Sequence, residues 1–261
     1  MSYASGVGRD SQPPSEDTVT KGTKEYVLVH GAAHGAWCWE DVAKRLVAKG
    51  HRVITLDLPG HGRRAPEARQ ASVGAYARAV ADTMALEGVS RGVVVGHSLG
   101  GIVIPKVAEL VPRRVAHLVF LAALVLPHGG SVMEVHMPPS ARPALRGMAA
   151  GGGGGSILYP ASVAWERWMG DLPPGHPAVV RAHASLTPQP LRPLVEPVDL
   201  RVFYAMQVPR TYIRCLHDAA VPPAKADEYA ARLGVTPIDL DSAHNPMLSE
   251  PEALARVLDG I

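Results

Sequence analysis

From Tyr26 onward the chain alternates between two hydrophobic periods. Short apolar runs rich in Val and Ile are each followed by a stretch whose apolar positions recur every three or four residues. Tyr26-Val27-Leu28-Val29-His30, closed by Gly31, reads as a first strand, and Trp39, Val42, Ala43, Leu46 and Val47 as the stripe of a first helix. Arg52 to Asp57, ended by Pro59-Gly60, is a second strand. Val73 to Leu86 is helical, Gly92 to Gly96 a strand, Ile102 to Leu110 a helix stopped by Pro112, and Val115 to Ala122 a strand buried on both faces. After a long break come strand Arg210 to Cys215, a helix from Ala224 to Leu233, strand Thr236 to Leu240 and helix Pro251 to Val257. Strands alternating with helices predict an α/β fold: a mostly parallel sheet of about six strands with helices on both faces. Near-continuous apolar strands fit parallel pairing covered on both sides.

Two stretches depart from this rhythm. Residues 1–23 are polar and aperiodic, which predicts a disordered tail. Residues 127–200 concentrate prolines, the run Gly151 to Gly155, Trp165, Trp168, Tyr159 and four methionines, Met133, Met137, Met148 and Met169. Interruptions this long inside a compact domain are usually lids or inserted subdomains. The chain therefore divides into a core, 24–126 and 201–261, and a cap inserted at 127–200. The glycine run follows no strand and precedes no GK[ST], so it reads as a turn in the insert and not as a phosphate loop.

Composition narrows the function classes. Charged residues are 19% of the 261 and the net charge is +2, with no Lys/Arg run longer than two. That gives no footprint for a nucleic-acid or anionic-membrane partner. The longest apolar run, Leu118 to Leu126, has nine residues, against the ~20 a membrane span needs. Two cysteines make no disulfide scaffold, and Cys38 and Cys215, about three strands apart, are expected as reduced thiols. The first 24 residues lack the apolar stretch of a secretion signal, so a cytoplasmic globular protein is expected. The sequence leaves the oligomeric state open, a homodimer among the options.

The sharpest chemical signal is Gly96-His97-Ser98-Leu99-Gly100. It directly follows the strand Val93-Val94-Val95 and directly precedes a helix, the setting a nucleophile elbow requires. The alternative is a plain βα turn with a serine N-cap. A serine at its free pKa is a weak nucleophile, so a base and an orienting carboxylate must come from elsewhere. On this arrangement they follow the serine as Asp or Glu, then His. The loop after Cys215, Leu216-His217-Asp218-Ala219-Ala220-Val221, has Asp218 as its acid; the loop after the last strand, Asp241-Ser242-Ala243-His244-Asn245, has His244 as its histidine. Asp241 competes with Asp218, but it ends the strand only three residues from His244. An oxyanion needs two backbone donors, which Leu99, after the serine, and Ala32, after the first strand, are placed to supply.

The segments VLVHGAAHGAWCW, GHRVITLDLPGHG, VVVGHSLGG, CLHDAAVP and AHNPMLSEP resemble the α/β-hydrolase superfamily, in particular the branch of plant methyl esterases, plant hydroxynitrile lyases and their bacterial esterase relatives. The likeness runs from about Tyr26 to the C-terminus and is weakest across 127–190; LTPQPLRPLVEPV (186–198) again resembles bacterial members. It implies a Ser98–His244–Asp218 triad, an oxyanion hole from the Ala32 and Leu99 amides, a cap over the pocket and no cofactor. One departure matters. The lyases place a lysine directly after the catalytic histidine, where this chain has Asn245; the methyl esterases often carry Met there.

The remaining candidates read as structural. His30 and His34 have H-x-x-x-H spacing, but they lie on a Gly-rich loop without a third ligand, so no metal site is expected. His97 points away from its neighbour on an elbow, His61 reads as a turn residue, with contact to substrate the minor alternative, and Asp57 precedes the serine. The reading that follows is a serine hydrolase cleaving the carboxylic ester of an apolar small molecule. Trp168 is the cap residue expected to line the pocket, against the alternative that it merely packs the cap. A lyase or C–C bond-cleaving enzyme using the same residues as acid and base, or a ligand receptor on the same fold, are the rivals.

Overall fold

A computed structural model of the chain describes residues 22–151 and 155–261. Most of the tail expected at 1–23 and the middle of the glycine run lie outside the described residues. The core elements follow one another as β1 (Glu25–Val29), α1 (Glu40–Ala48), β2 (Arg52–Thr55), α2 (Val73–Leu86), β3 (Gly92–His97), α3 (Gly100–Leu110) and β4 (Val115–Leu121). The 127–200 segment brings α4 (Val132–Val135), α5 (Arg142–Gly151), β5 (Ser156–Ile157), α6 (Ala161–Trp168), α7 (Pro177–Ser185), β6 (Gln189–Pro190) and α8 (Arg192–Val195). The chain then returns through α9 (Arg201–Ala205), β7 (Arg210–Cys215), α10 (Pro223–Leu233), β8 (Ile238–Leu240), α11 (Pro246–Ser249) and α12 (Pro251–Gly260).

Six strands form one parallel sheet in the order β2-β1-β3-β4-β7-β8. Alternation along each strand divides the core. Val27, Val29, Val94, Leu118, Phe120 and Tyr212 pack with residues of α2, α3 and α10 on one face. Tyr26, Leu28, Val95, Val119, Leu121 and Ile213 pack with α1 and α12 on the other. Both faces being covered explains why the central strands β1, β3 and β4 read as nearly unbroken apolar runs. No helix among the described residues is long and apolar enough to cross a membrane.

The two edge strands are shorter than the periodicity predicts. β2 ends at Thr55, where its pairing with Leu28 ends, and Asp57 leaves the sheet to hold turns with its carboxylate. β8 begins at Ile238 because Pro237 has no N–H to give to the ladder. An edge strand has one neighbour only, so its apolar pattern overstates its paired length.

Candidate active site

The carboxyl ends of β3, β7 and β8 are where the chemistry-bearing residues gather. Ser98 follows β3 with a φ of 50°, a left-handed conformation that a residue with a side chain adopts only where surroundings enforce it. The enforcement is visible. The Ser98 N–H donates to Leu121 O at 3.1 Å, and its carbonyl accepts from both Leu124 N and Gly101 N at 3.0 Å. The flanking glycines leave no room for a methyl: a Cβ on Gly96 would lie 2.7 Å from Gly100 O, and one on Gly101 2.5 Å from Leu124 O. Strand and helix therefore approach closely enough to turn the chain at Ser98, directly ahead of α3.

His244 Nδ1 donates to Asp218 Oδ2 at 2.7 Å, and both side chains are buried. The other carboxylate oxygen, Oδ1, accepts from Ala220 N and Val221 N, each at 2.7 Å. Asp218 is thus fixed at both oxygens, and its bond to His244 holds a proton on Nδ1 and turns Nε2 away from the carboxylate. Asp241, the competing acid, is exposed and bonded to His217 Nε2 at 2.7 Å. The structure brings Asp218 to His244 and leaves Asp241 outside.

Ala32 and Leu99 border the same cavity as Ser98 and His244. Among the described residues no acceptor takes the N–H of either one. The loop carrying Ala32 is held from several sides. Ala33, itself at φ 61°, donates to Gln189 Oε1 at 3.0 Å, while its carbonyl accepts from Thr187 N at 2.9 Å. His34 Nδ1 donates to Ala32 O at 2.7 Å, and His34 Nε2 accepts from Asn245 Nδ2 at 3.0 Å. His30 Nδ1 donates to Gly31 O and its Nε2 accepts from Leu58 N.

Four of these histidines are pinned neutral. Burial depresses His30, His34, His61 and His97, with His34 lowered to about 4. His97 Nε2 donates to the His244 carbonyl at 2.9 Å, so it supports the backbone of the histidine beside it. His61 is buried and donates to Gln189 Oε1 at 3.0 Å; it does not border the cavity. Cys38 and Cys215 are buried free thiols whose pKa values burial raises.

The cavity holds about 370 Å³. Its floor is Ser98, Leu99, Leu124 and His244, and its far wall comes from 127–200 through Met137, Leu145, Met148, Val163 and Trp168. Trp168 borders the cavity and belongs to the same buried cluster as Ala33 and Ala220. Trp165 does not reach the cavity and donates its Nε1–H to Leu172 O. Met133 and Met169 are buried away from it.

Sequence reasoning missed Gln189, the tie from Asn245 to His34, and the polar wall residues His136 and Arg167. A glutamine between two prolines is an unpromising place to look. Its burial is visible only once the chain is folded.

A family model described as "Alpha/beta hydrolase family" matches residues 26–257. A carbendazim hydrolyzing esterase of Nocardioides sp. (strain SG-4G) is 38% identical over 128 residues, covering 49% of this chain and 52% of that one. A putative methylesterase 13, chloroplastic, of Arabidopsis thaliana is 27% identical over 256 residues, covering 90% of this chain and 55% of that protein. The chain spans about half the length of these curated relatives. Among solved structures, an extracellular alpha/beta-hydrolase from a Paenibacillus species, described as sharing homology with tobacco salicylic acid binding protein 2, superposes with a TM-score of 0.83 at 25% identity, covering 90% of this chain and 97% of that one. The fold, the placement of the serine turn and the extent of the family match agree, and the chain belongs to the alpha/beta hydrolase family.

Proposed function

We propose that this chain is a serine hydrolase that cleaves carboxylic esters of apolar small molecules through Ser98, His244 and Asp218. The observation that carries the reading is the set of unspent groups around one apolar cavity. These are a serine on a strained turn, two amides without acceptors, and a histidine whose proton is fixed on the nitrogen facing a buried carboxylate. The names of relatives support the same class, since an esterase and a putative methylesterase are among them.

In this mechanism His244 Nε2 takes the Ser98 proton as Oγ attacks the ester carbonyl. The Ala32 and Leu99 N–H groups donate to the oxyanion of the tetrahedral intermediate. The protonated His244, stabilised by Asp218, then gives its proton to the leaving alkoxide. Water, deprotonated by His244, attacks the acyl-enzyme, and His244 returns that proton to Ser98 Oγ as the acyl bond breaks and the acid leaves. The segment 127–200 acts as a cap that keeps the cavity apolar, with Trp168 among the residues that contact substrate.

Intact-mass analysis after treatment with a serine-directed phosphonate tests the nucleophile, and turnover of p-nitrophenyl acetate and butyrate tests the activity. The expected result is a single adduct at Ser98 together with turnover that the phosphonate abolishes. Absence of an adduct at Ser98 overturns the reading. An adduct without ester turnover transfers the site to a non-hydrolytic reaction or to a receptor.

A further inference from the structure

The far wall of the cavity is not uniformly apolar. Arg167, the last residue but one of α6, is the only formally charged side chain among the described residues bordering the cavity. Other arginines in this molecule have acidic partners: Arg52 pairs with Glu25 and Glu87, Arg201 with Asp199 and Arg214 with Asp239. Arg167 has neither an ion pair nor a hydrogen bond with any described residue.

Two further polar groups border the same space with unused capacity. The Tyr159 hydroxyl has no hydrogen-bond partner among the described residues, while its ring stands edge-on to Trp168 with centroids 5.1 Å apart. His136 bonds Tyr229 OH through Nδ1 at 3.0 Å, leaving Nε2 without a described partner. Burial pushes Tyr159 up to about 12 and His136 down to about 4, and the charge of Arg167 bears on both. At neutral pH the wall therefore presents a hydroxyl donor, an uncharged imidazole and one positive charge. Apolar pockets with a few convergent polar groups use those groups to fix the orientation of a ligand.

The geometry points to an anion-accepting subsite formed by Arg167, Tyr159 and His136, which selects esters carrying a carboxylate remote from the scissile bond. A guanidinium takes a carboxylate in two parallel N–H···O bonds, and a phenol can add a third. The intervening chain of the substrate would lie along Leu145, Met148 and Trp168. This rests on the ester-hydrolase reading for its chemistry, but the subsite itself can be read by binding alone.

The test uses mono-p-nitrophenyl esters of adipic, suberic and sebacic acids, each beside the neutral alkanoate ester of equal chain length. The quantity read is the ratio of kcat/KM for the acidic ester to that for the neutral one. Arg167→Ala should lower this ratio about tenfold and Tyr159→Phe about threefold, amounts fitting the loss of one charge-assisted and one neutral hydrogen bond. Arg167→Lys should restore part of it, and high salt should erode it because the site is partly open to solvent. An unchanged ratio in Arg167→Ala overturns the subsite. Should the wild type hydrolyse neither ester, the hydrolase reading fails on its own. Calorimetry then decides the subsite, comparing monomethyl suberate with methyl octanoate on Ser98→Ala and Ser98→Ala/Arg167→Ala. Selective weakening of the suberate by the arginine change supports it, and equal or no weakening overturns it.

Discussion

The sheet and the 127–200 segment enclose the cavity from opposite sides and are built by different means. At the sheet edge, side chains are placed by backbone: parallel register puts Ser98 after β3, Asp218 after β7 and His244 after β8. Across the cavity the wall is made of short helices and one antiparallel pair of two-residue strands. That wall is tied to the loops after β1 and β8 by a handful of bonds. Trp168 O accepts from Asn245 N at 3.0 Å, Asp171 Oδ2 from Ala243 N at 2.8 Å, and Gln189 Oε1 from Ala33 N at 3.0 Å. On the proposed mechanism, one region fixes where the reaction happens, and the other fixes what can lie beside it. Substitutions should therefore fail differently on the two sides.

The largest effects belong to the sheet side. Ser98→Ala and His244→Ala should each lower kcat by roughly a thousandfold or more, and the double variant should be little worse than either. Asp218→Asn should be severe as well, whereas Asp241→Asn, in an exposed pair with His217, should leave kcat within about twofold. Steady-state kinetics on a p-nitrophenyl ester checks all four, and a more damaging Asp241→Asn would reverse the acid assignment.

The next contrast is in backbone tolerance. Gly96→Ala forces a methyl to within 2.7 Å of Gly100 O, and the obstacle is backbone and not a movable side chain. A loss of about 3 kcal/mol is expected, the upper end for overpacking. Gly147, within α5, would place the same methyl in open space. There alanine should stabilise by about 0.5–1 kcal/mol through helix propensity. Denaturant midpoints of the two variants measure the difference, and equal effects would mean that the elbow is less constrained than its contacts imply.

Much of this division was legible in the sequence. The central strands β1, β3 and β4 announce themselves because burial on both faces leaves nearly unbroken apolar runs, and the G-x-S-x-G lies where strand period gives way to helix period. The edge strands were overread, since pairing and not apolarity sets their length. Around the cavity the letters said less. Trp168 was legible as a large apolar residue in a charge-poor segment, but no pattern in the letters singled out Arg167 beside it. Gln189 gave no signal because its importance lies in long-range bonds, 156 residues from Ala33 and 128 from His61.

Acid should expose the buried histidines. His30, His34, His61, His97 and His136 all have folded pKa values below the ordinary one because burial penalises the charged ring. Between the unfolded value near 6.5 and the lower folded value, the unfolded chain binds more protons than the folded one. Stability is then complete above about pH 6.5 and falls as the pH drops toward 4. His34 and His136, each lowered to about 4, titrate within that window, and His30 and His97, held well below the ordinary value, add to the loss. In its steep part each such group removes about 1.4 kcal/mol per pH unit. Urea unfolding across pH 7.5 to 4.5 checks this, and a flat stability profile would contradict the buried, neutral state of the cluster.

The subtlest expected effect lies where the two regions meet. Gln189 is fully buried on β6, and its Oε1 accepts from both Ala33 N and His61 Nε2. Gln189→Leu keeps the approximate volume but leaves two buried donors unsatisfied, at about 1–3 kcal/mol each. If that bond merely stabilises the fold, kcat measured well below the melting temperature should match the wild type. If it also sets the Ala32–Ala33 turn, a loosened Ala32 amide should lower kcat several-fold with KM little changed, because an oxyanion donor acts on the transition state and not on bound ester. We expect the second outcome, since Ala33 stands at φ 61° and is held at both its N–H and its carbonyl by the 127–200 segment. The phosphonate supplies an independent reading: its tetrahedral adduct uses the same two amides, so its rate of reaction with Ser98 should fall in step with kcat. A fall in kcat without slower phosphonylation would place the effect of Gln189 elsewhere in the cycle.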